Sequence, residues 1–246
     1  LGEDAAWLEQ RIRSDGVPLL SLIQAEPLAV QAPHLSFQEF LAAAAIADGE
    51  ELPVTKVEEL GACWANTLRL GAGLGERFCD ALAAQLGLMA VEEVKVDGPV
   101  DEAACCAALG AVLQSRRARV VRIGLGYNQI GDAGAEALAE GLKYNKALQM
   151  LALHANRIGD VGAKALAEGL KYNLALQTLT LGLNQIGTAG AEALAEGLKH
   201  NQALQTLTLV RNQIRDVGAD ALSEGLKHNQ ALRTLDLSGN QIGDAG

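Results

Sequence analysis

Leucines recur at a fixed interval through the C-terminal part of the chain, at steps of 28 residues. Two such series are Leu151, Leu179, Leu207, Leu235 and Leu138, Leu166, Leu194, Leu222. One full unit, which starts at Leu176, reads LQTLTLGLNQIGTAGAEALAEGLKHNQA. A repeat of this length predicts a stack of similar supersecondary units that share one continuous core.

Each unit combines two hydrophobic patterns of different period. In LxxLxLxxN the leucines alternate with other residues, which predicts a short strand with one buried face. The following AGAEALAEGLK places leucines four positions apart, as on the inward face of a helix. An Asn ends each strand pattern, and its amide can satisfy the backbone where the chain turns away. These structural asparagines are Asn128, Asn156, Asn184, Asn212 and Asn240.

Two further polar positions repeat around the helix. The Asp or Thr at 132, 160, 188, 216 and 244 is expected to cap the helix that it opens. An Asn follows each helix, and Asn is one of the few residues that accept a left-handed turn there. The second series is Asn145, Asn173, Asn201 and Asn229.

Full copies begin at Val120, Leu148, Leu176 and Leu204, and a fifth copy begins at Leu232 and is truncated at 246. A degenerate first repeat occupies 91–119, where Val91, Val94 and Val96 match the strand positions and Leu109 and Leu113 the helix positions. Terminal repeats are expected to be atypical because one of their faces meets something other than a repeat. Since the last copy is incomplete and the chain begins with Leu1, we expect the sequence to be a piece of a longer protein.

The repeats resemble ribonuclease-inhibitor-type leucine-rich repeats, as in NOD-like receptors, Ran GTPase-activating proteins and the inhibitor itself. The resemblance covers 91–246 and implies an α/β solenoid shaped as a horseshoe, with the strands on a concave face that binds protein partners. It does not name the partner, because the same solenoid serves many functions.

The first ninety residues do not repeat. Residues 34–43, HLSFQEFLAA, contain a capping box formed by Ser36 and Glu39, with Phe37, Phe40 and Leu41 on one apolar stripe. An ordinary helix start in a helical domain would account for this pattern. The string also resembles the segment that precedes the repeats in NACHT-type NOD-like receptors, which implies that 1–60 is the end of a helical domain that follows a nucleotide-binding domain. Residues 61–90 are then a helical junction or cap.

Composition and charge narrow the classes of partner and compartment. The formal net charge is −10 and aromatic residues make up 3%, so the chain lacks the basic footprint that nucleic acids and anionic membranes require. No apolar run reaches the length of a membrane span, and no signal peptide is visible. The four cysteines show no metal-ligand spacing and are expected to be small buried residues in a reducing compartment, the cytoplasm.

Candidate binding residues project from the strand face between the inward leucines. Tyr and Arg are typical interface anchors, and the candidates are Arg122, Tyr127, His154, Arg211 and Arg233. They could equally be solvated positions on a strand face. Neither a nucleophile–base pair nor a metal cluster stands out from the repeat pattern, so we expect a protein that is not an enzyme and needs no cofactor.

The leading hypothesis is the sensor or scaffold part of a NOD-like receptor-like signalling protein, of the kind found in innate immunity. The alternative is a free-standing solenoid that regulates another protein, such as a GTPase-activating or enzyme-inhibiting protein.

Overall fold

The computed structural model describes residues 21–25, 28–31, 42–52, 54, 56–96 and 102–243. Strands β1 (Ser21–Ala25) and β2 (Leu28–Gln31) pair antiparallel, and residues 42–47 are helical. The hairpin differs from the helical character expected throughout 1–60. Pro18, Pro27 and Pro33 interrupt this stretch, and a proline inside a helix removes a backbone hydrogen bond, which disfavours a continuous helix here.

The segment 34–43 lies outside the described residues except for its last two alanines. Ala43, Ala44 and Ile46 of the helical stretch are buried. The capping box and the resemblance at this segment therefore stay predictions.

Two further helices precede the repeats: α1 (Ala65–Ala72) and α2 (Glu76–Gln85), after short 3-10 turns at Val57–Glu59 and Ala62–Trp64. Leu68, Phe78 and Leu82 are fully buried. The two helices cross closely at Gly71, where a Cβ atom would lie 2.2 Å from Cζ of Phe78. Phe78 therefore fills the core of the junction.

Short parallel strands then alternate with helices along the repeats. The strands are β3 (Glu93–Lys95), β4 (Arg122–Gly124), β5 (Met150–Ala152), β6 (Thr178–Thr180), β7 (Thr206–Thr208) and β8 (Thr234–Asp236). The helices are α3 (Glu102–Gln114), α4 (Asp132–Tyr144), α5 (Asp160–Tyr172), α6 (Thr188–His200) and α7 (Asp216–Leu226). The predicted α/β solenoid of leucine-rich repeats is confirmed, and β3 and α3 lie within the degenerate unit at 91–119.

The six strands form one parallel sheet in chain order. From β4 onward each strand pairs with the next at the 28-residue step, as Leu151 with Leu179 and Leu179 with Leu207, whereas β3 pairs with β4 at a step of 29 residues. Neighbouring strands in a sheet are about 4.8 Å apart, whereas packed helices are about 8–10 Å apart. A stack with one strand and one helix per repeat must therefore curve, with the sheet on the inside. The exposed side of β3–β8 is called the sheet face below.

The Asp series caps helices differently from the sequence expectation. The N-cap residues of α4, α5 and α6 are Gly131, Gly159 and Gly187, without a side-chain cap from the same repeat. Instead, Oδ1 of Asp132 accepts hydrogen bonds from the backbone N–H groups of Gly159 (2.8 Å) and Gly162 (2.9 Å) in the next repeat. The cap reaches across because the Asp is the first residue of its own helix, one position past the cap.

The Asn series after the helices also differs from expectation. Asn145, Asn173 and Asn201 have extended backbone conformations, not left-handed ones. Their side chains are buried, and Nδ2 of Asn173 donates to the carbonyl oxygens of Leu142 (2.8 Å) and Asn145 (2.9 Å) in the preceding repeat. These amides replace the hydrogen bonds that a left-handed turn would have supplied, since the final carbonyls of a helix lack partners within it.

Over the part of the chain that the structure describes, no helix is both long and apolar enough to cross a membrane.

Candidate functional site

The sheet face consists of two columns of exposed or half-buried side chains on either side of a buried column. Ile123, Leu151, Leu179 and Leu207 form the buried column, and each lies between two residues that point to solvent. The strand-start column is Arg122, Met150, Thr178, Thr206 and Thr234. The strand-end column is Gly124, Ala152, Thr180, Thr208 and Asp236.

The strand-end asparagines hold the turns that follow the sheet face. Nδ2 of Asn184 donates to the carbonyl oxygens of Leu153 (2.9 Å) and Leu181 (3.1 Å), while its Oδ1 accepts from the N–H of Ile158 (3.0 Å). Asn156 and Asn212 make the equivalent contacts, and Asn240 does so at the last strand. Asn128 donates to the carbonyl oxygens of Val96 and Gly126, each at 3.2 Å. The amides thereby connect each repeat to the one before it.

Two of the five candidates lie where the strands begin. Nε of Arg122 is 3.6 Å from Oε2 of Glu93 on the neighbouring strand, and the Arg122 side chain is 44% exposed. A pair at this exposure adds about 0–1 kcal/mol at most, so Arg122 remains accessible to a partner. Arg233 is exposed directly before β8.

The other three candidates lie just past the strand ends. The rings of Tyr127 and His154 meet edge-to-face, with centroids 5.1 Å apart and planes at 89°. Tyr127 is nevertheless 76% exposed, so the pair presents a pre-positioned aromatic surface. Such a pair contributes about 0.5–1.5 kcal/mol beyond the area that it buries.

His154 is held from two further directions. Its Nδ1 lies 3.5 Å from Oγ1 of Thr180 on the next strand. On the other side, a Cβ atom at Gly126 would lie 2.4 Å from Cε1 of His154. Only glycine leaves room for the imidazole at this position. A glycine of the first full repeat therefore positions the His154 side chain of the second full repeat.

Arg211 belongs to a row of left-handed backbone positions that immediately precede the strand-end asparagines. The φ angles are 59° at Tyr127, 55° at Ala155, 57° at Leu183, 52° at Arg211 and 73° at Gly239. Only the last repeat has glycine, the residue for which this conformation is free of steric cost. Four repeats thus place a side chain at a conformational cost along one rim of the sheet face.

Ala155 and Leu183 of this row were missed by the sequence analysis, although Leu183 is 41% exposed beside the candidates. A signal was present, since Gly239 stands in the same register as Tyr127 and Arg211. The five candidates are not one cluster. Tyr127, His154 and Arg122 lie on the first two full repeats, and the threonines of β6 separate them from Arg211 and Arg233.

The sheet face has a charge opposite to that of the whole chain. Its charged residues on or beside the strands are the cations Lys95, Arg122, Arg211 and Arg233 and the carboxylates Glu92, Glu93 and Asp236, which leaves an excess of one positive charge. Hydrogen bonds from the hydroxyl and the N–H of Ser238 lower the pKa of Asp236, which is therefore ionised at neutral pH. A face with this balance favours partners that carry some negative charge.

The described residues contain no group of three or more His, Cys, Asp or Glu side chains that could hold a metal ion. Burial raises the pKa of the Cys79 thiol to about 11, so this sulfur stays protonated and lacks the thiolate that reactive cysteines use. Cys105 and Cys106 are buried in α3, as expected for small core residues.

Comparisons with known proteins agree with this description. Five segments match a family model described as "Leucine Rich repeat": 123–139, 144–167, 172–195, 200–223 and 228–246. The search of curated proteins gave no match.

Two solved structures are similar at low identity. The structure titled "Leiomodin-1 Actin-Binding Site 2 (ABS2)" has 17% identity and a TM-score of 0.40, over 76% of this chain and 87% of that chain. An internalin of Listeria monocytogenes has 20% identity and a TM-score of 0.27, over 56% of this chain and 46% of that chain. At these TM-scores neither structure carries an argument about partners.

Proposed function

Because the repeats between residues 123 and 246 are leucine-rich repeats, we propose that this chain is a protein-interaction module that binds a partner protein on its sheet face. One observation carries the proposal: six parallel strands in register present continuous columns of exposed side chains over a fully packed core. Solenoids with this construction use their extended inner surface for binding. The module is non-catalytic and works without a cofactor.

The rim at the strand ends supplies the anchors. Tyr127 is exposed yet fixed by its contact with His154, so it loses little freedom when a partner covers it, and rigid aromatic side chains are common interface hot spots. Arg211 projects from the same rim and supplies a charge. Because the left-handed backbone at both positions disfavours side chains, a residue kept there is better explained by contact with a partner than by the needs of the fold.

Within this function, we place the chain in a NOD-like receptor-like protein of the cytoplasm, with ribonuclease-inhibitor-type repeats as its sensor or scaffold. The support is the string HLSFQEFLAA at 34–43, which lies ahead of the repeats in the order found in such receptors. In that arrangement a nucleotide-binding domain lies upstream, and the solenoid shifts the conformational equilibrium of that domain. Buried cysteines agree with a reducing compartment.

Site-specific photocrosslinking tests the binding surface. A benzoylphenylalanine replaces Thr180 or Thr208 on the sheet face, and the matched controls carry it at Lys164 or Glu192 on the exposed side of the helices. We expect one protein to crosslink to the sheet-face positions and not to the helix positions. Crosslinks of equal yield from both faces would contradict the proposal.

The purified partner then allows a quantitative test. Tyr127→Ala and Arg211→Glu should each weaken binding at least about tenfold, the range of an interface hot spot. Lys164→Glu, which changes a charge on the helix side, should leave Kd unchanged.

The receptor assignment has a separate test. The uninterrupted coding sequence upstream of Leu1 is determined and its product is assayed for ATP and ADP binding. Measurable nucleotide binding supports the receptor. A product that binds no nucleotide overturns it and leaves a free-standing regulator, such as a GTPase-activating or enzyme-inhibiting solenoid.

A further inference from the structure

A groove with a volume of about 1090 Å³ lies away from the sheet face, where the helical junction meets the solenoid. We call it the junction groove. It is lined by the turn between α1 and α2, by the segment that follows α3 and by the segment that follows α4. Its volume is slightly above the usual range of binding pockets in proteins, about 300–1,000 Å³.

The groove exists because α1 packs on α3 and its C-terminal turn stands beside the loops of the first two repeats. Arg69 and Gly73 form one wall, and Ser115 and Lys146 belong to the other. Within the described chain, α5, α6 and α7 have no helix packed on their outer side in this way. The groove is therefore a feature of the junction and not of the repeat.

The charges that line the groove oppose the charge of the chain. Four cationic side chains and two carboxylates line it: Arg69, Arg116, Lys143, Lys146, Glu76 and Glu140. Both carboxylates have a cation beside them, since Nζ of Lys143 lies 2.5 Å from Oε2 of Glu140 and Nε of Arg116 lies 3.4 Å from Oε1 of Glu76.

Two cations are left without a carboxylate. Among the described residues, neither Arg69 nor Lys146 has such a partner, and both side chains are exposed. Helix C-termini carry a partial negative charge, which offsets part of the cationic charge here. The charge at a helix end is about half an elementary charge and is screened by salt, whereas Arg69 and Lys146 each carry a full charge. A net positive groove remains on a chain with a net charge of −10.

An exposed apolar patch continues the groove along the same loops. Tyr144 lines the groove and is 60% exposed, and Tyr172, its counterpart on α5, is 65% exposed. Leu174, two residues later, is 77% exposed. Helices α4 and α5 pack directly against each other, so the three side chains extend the groove to the next repeat. In the two following repeats His200 and His228 replace the tyrosines, and the patch ends.

We propose that the junction groove and its apolar patch form a second docking surface, for an acidic polypeptide segment that carries an apolar or aromatic anchor. Carboxylates of the segment pair with Arg69 and Lys146, while the anchor packs on Tyr144, Tyr172 and Leu174. Charge complementarity selects an acidic segment over a basic one, and the apolar patch selects a polypeptide over a small anion. This surface is separate from the sheet face and can be occupied at the same time.

The test uses the full chain and two fluorescein-labelled peptide pools of about twelve residues, which span about 40 Å when extended. Both pools place Leu, Phe or Trp at the same alternate positions, and the remaining positions are Asp or Glu in one pool and Lys in the other. Fluorescence anisotropy is measured at about 50 and about 300 mM salt, which screens exposed charges to different extents. We expect the acidic pool to bind at least about tenfold tighter than the basic pool at the lower salt, by the arithmetic of one or two charge pairs.

Matched variants locate the binding. Arg69→Glu with Lys146→Glu should weaken the acidic pool at least about tenfold, while Arg157→Glu with Arg215→Glu, the same charge change at two exposed positions away from the groove, should not. Leu174→Gln should weaken it several-fold, and Val161→Gln, which removes a valine 58% exposed at the other end of α5, should not. All four positions of the charge variants are exposed, and unchanged melting curves confirm that each variant folds.

Three results would overturn the proposal: equal binding of the two pools, wild-type affinity of the groove variant, or an equal loss of binding in the control charge variant. None of them bears on whether the sheet face binds its own partner.

Discussion

The inner repeats and the last repeat put the same sequence positions into different environments. Leu179 and Leu207 are fully buried, whereas Leu235, their counterpart on β8, is only partly buried. Ile186 and Ile214 are fully buried, and Ile242 is not. In a solenoid each repeat is covered by the next repeat. Identical residues therefore contribute unequal free energies, according to the number of neighbours that cover them.

The other end of the solenoid shows the opposite situation. Helix α3 is buried on all sides, from Ala104 to Leu113, because α1 covers the side that the later helices expose. In α5 the same side carries Lys164 and Glu168. The sequence EAACCAALGAVLQ lacks the charged stripe of the repeats for this reason, and a helix that is apolar all round indicates burial on both faces.

The largest expected effect is on the buried column. Leu179→Ala should lower the free energy of unfolding by about 2–5 kcal/mol, the range for deletion of a fully buried leucine side chain. Leu235→Ala should cost less than half as much, because solvent already reaches that side chain. Urea titrations of both variants measure the difference, and Thr180→Ala on the exposed side is the control. Equal losses at Leu179 and Leu235 would contradict the comparison.

Substitution of a strand-end asparagine should also destabilise the protein more in an inner repeat than in the last repeat. Asn184→Ala removes the acceptor for the N–H of Ile158 and the donor to the carbonyl of Leu153, and a buried group without a partner costs about 1–3 kcal/mol. Asn240→Ala should cost less, because water can replace the lost contacts at the more exposed last strand. A larger loss of unfolding free energy for Asn240→Ala in the same titrations would show that the last repeat is protected from water as well as the inner ones.

The cross-repeat caps offer a comparison within the inner repeats. Oδ1 of Asp160 accepts from the N–H groups of Gly187 (2.7 Å) and Gly190 (2.8 Å), while Thr188 makes no such contact with the described start of α7. Asp160→Ala should therefore destabilise by about 1 kcal/mol, and Thr188→Asp should stabilise by about 0.5–1 kcal/mol, the worth of an N-cap. Thermal melts at neutral pH measure both. A lower melting temperature for Thr188→Asp would show that its carboxylate does not reach the next helix.

The smallest expected effect concerns the left-handed row. Ala155→Gly relieves a strained backbone at φ 55°, worth about 1–2 kcal/mol, but it loosens the unfolded chain by about 0.5–1 kcal/mol, which leaves a net gain of about 0.5 kcal/mol. Ala165→Gly within α5 is the matched control and should lose about 1 kcal/mol. If both glycines destabilise equally in urea titrations, the strain at Ala155 is negligible.

The repeat itself could be predicted from the sequence, because the short-range spacing of its hydrophobic residues determines its strands and helices. The alternation of LxxLxLxxN and the four-residue spacing of the leucines in each helix appear as strands and helices at the expected places. The contacts of Asp132 and Asn173 could not be predicted, since both side chains act on a neighbouring repeat. The periodicity of the sequence shows which residues are equivalent. It does not show whether a side chain forms its hydrogen bonds within its own repeat or with a neighbouring one.

The candidate site also combines features that the sequence predicted with contacts that only the structure shows. The alternation of the strand pattern was sufficient to put Arg122 and His154 on the exposed side of the strands, because successive residues of a strand point to opposite faces. Tyr127 has the parity of the buried Leu125, and it is exposed at a position where the backbone is left-handed. The edge-to-face contact of Tyr127 with His154 depends on the space above Gly126 and on Thr180 one strand further. The junction groove depends on the packing of α1 against α3, between segments with no shared pattern. Short-range periodicity thus set the fold and the exposed face, whereas packing between elements distant in sequence decided which side chains meet.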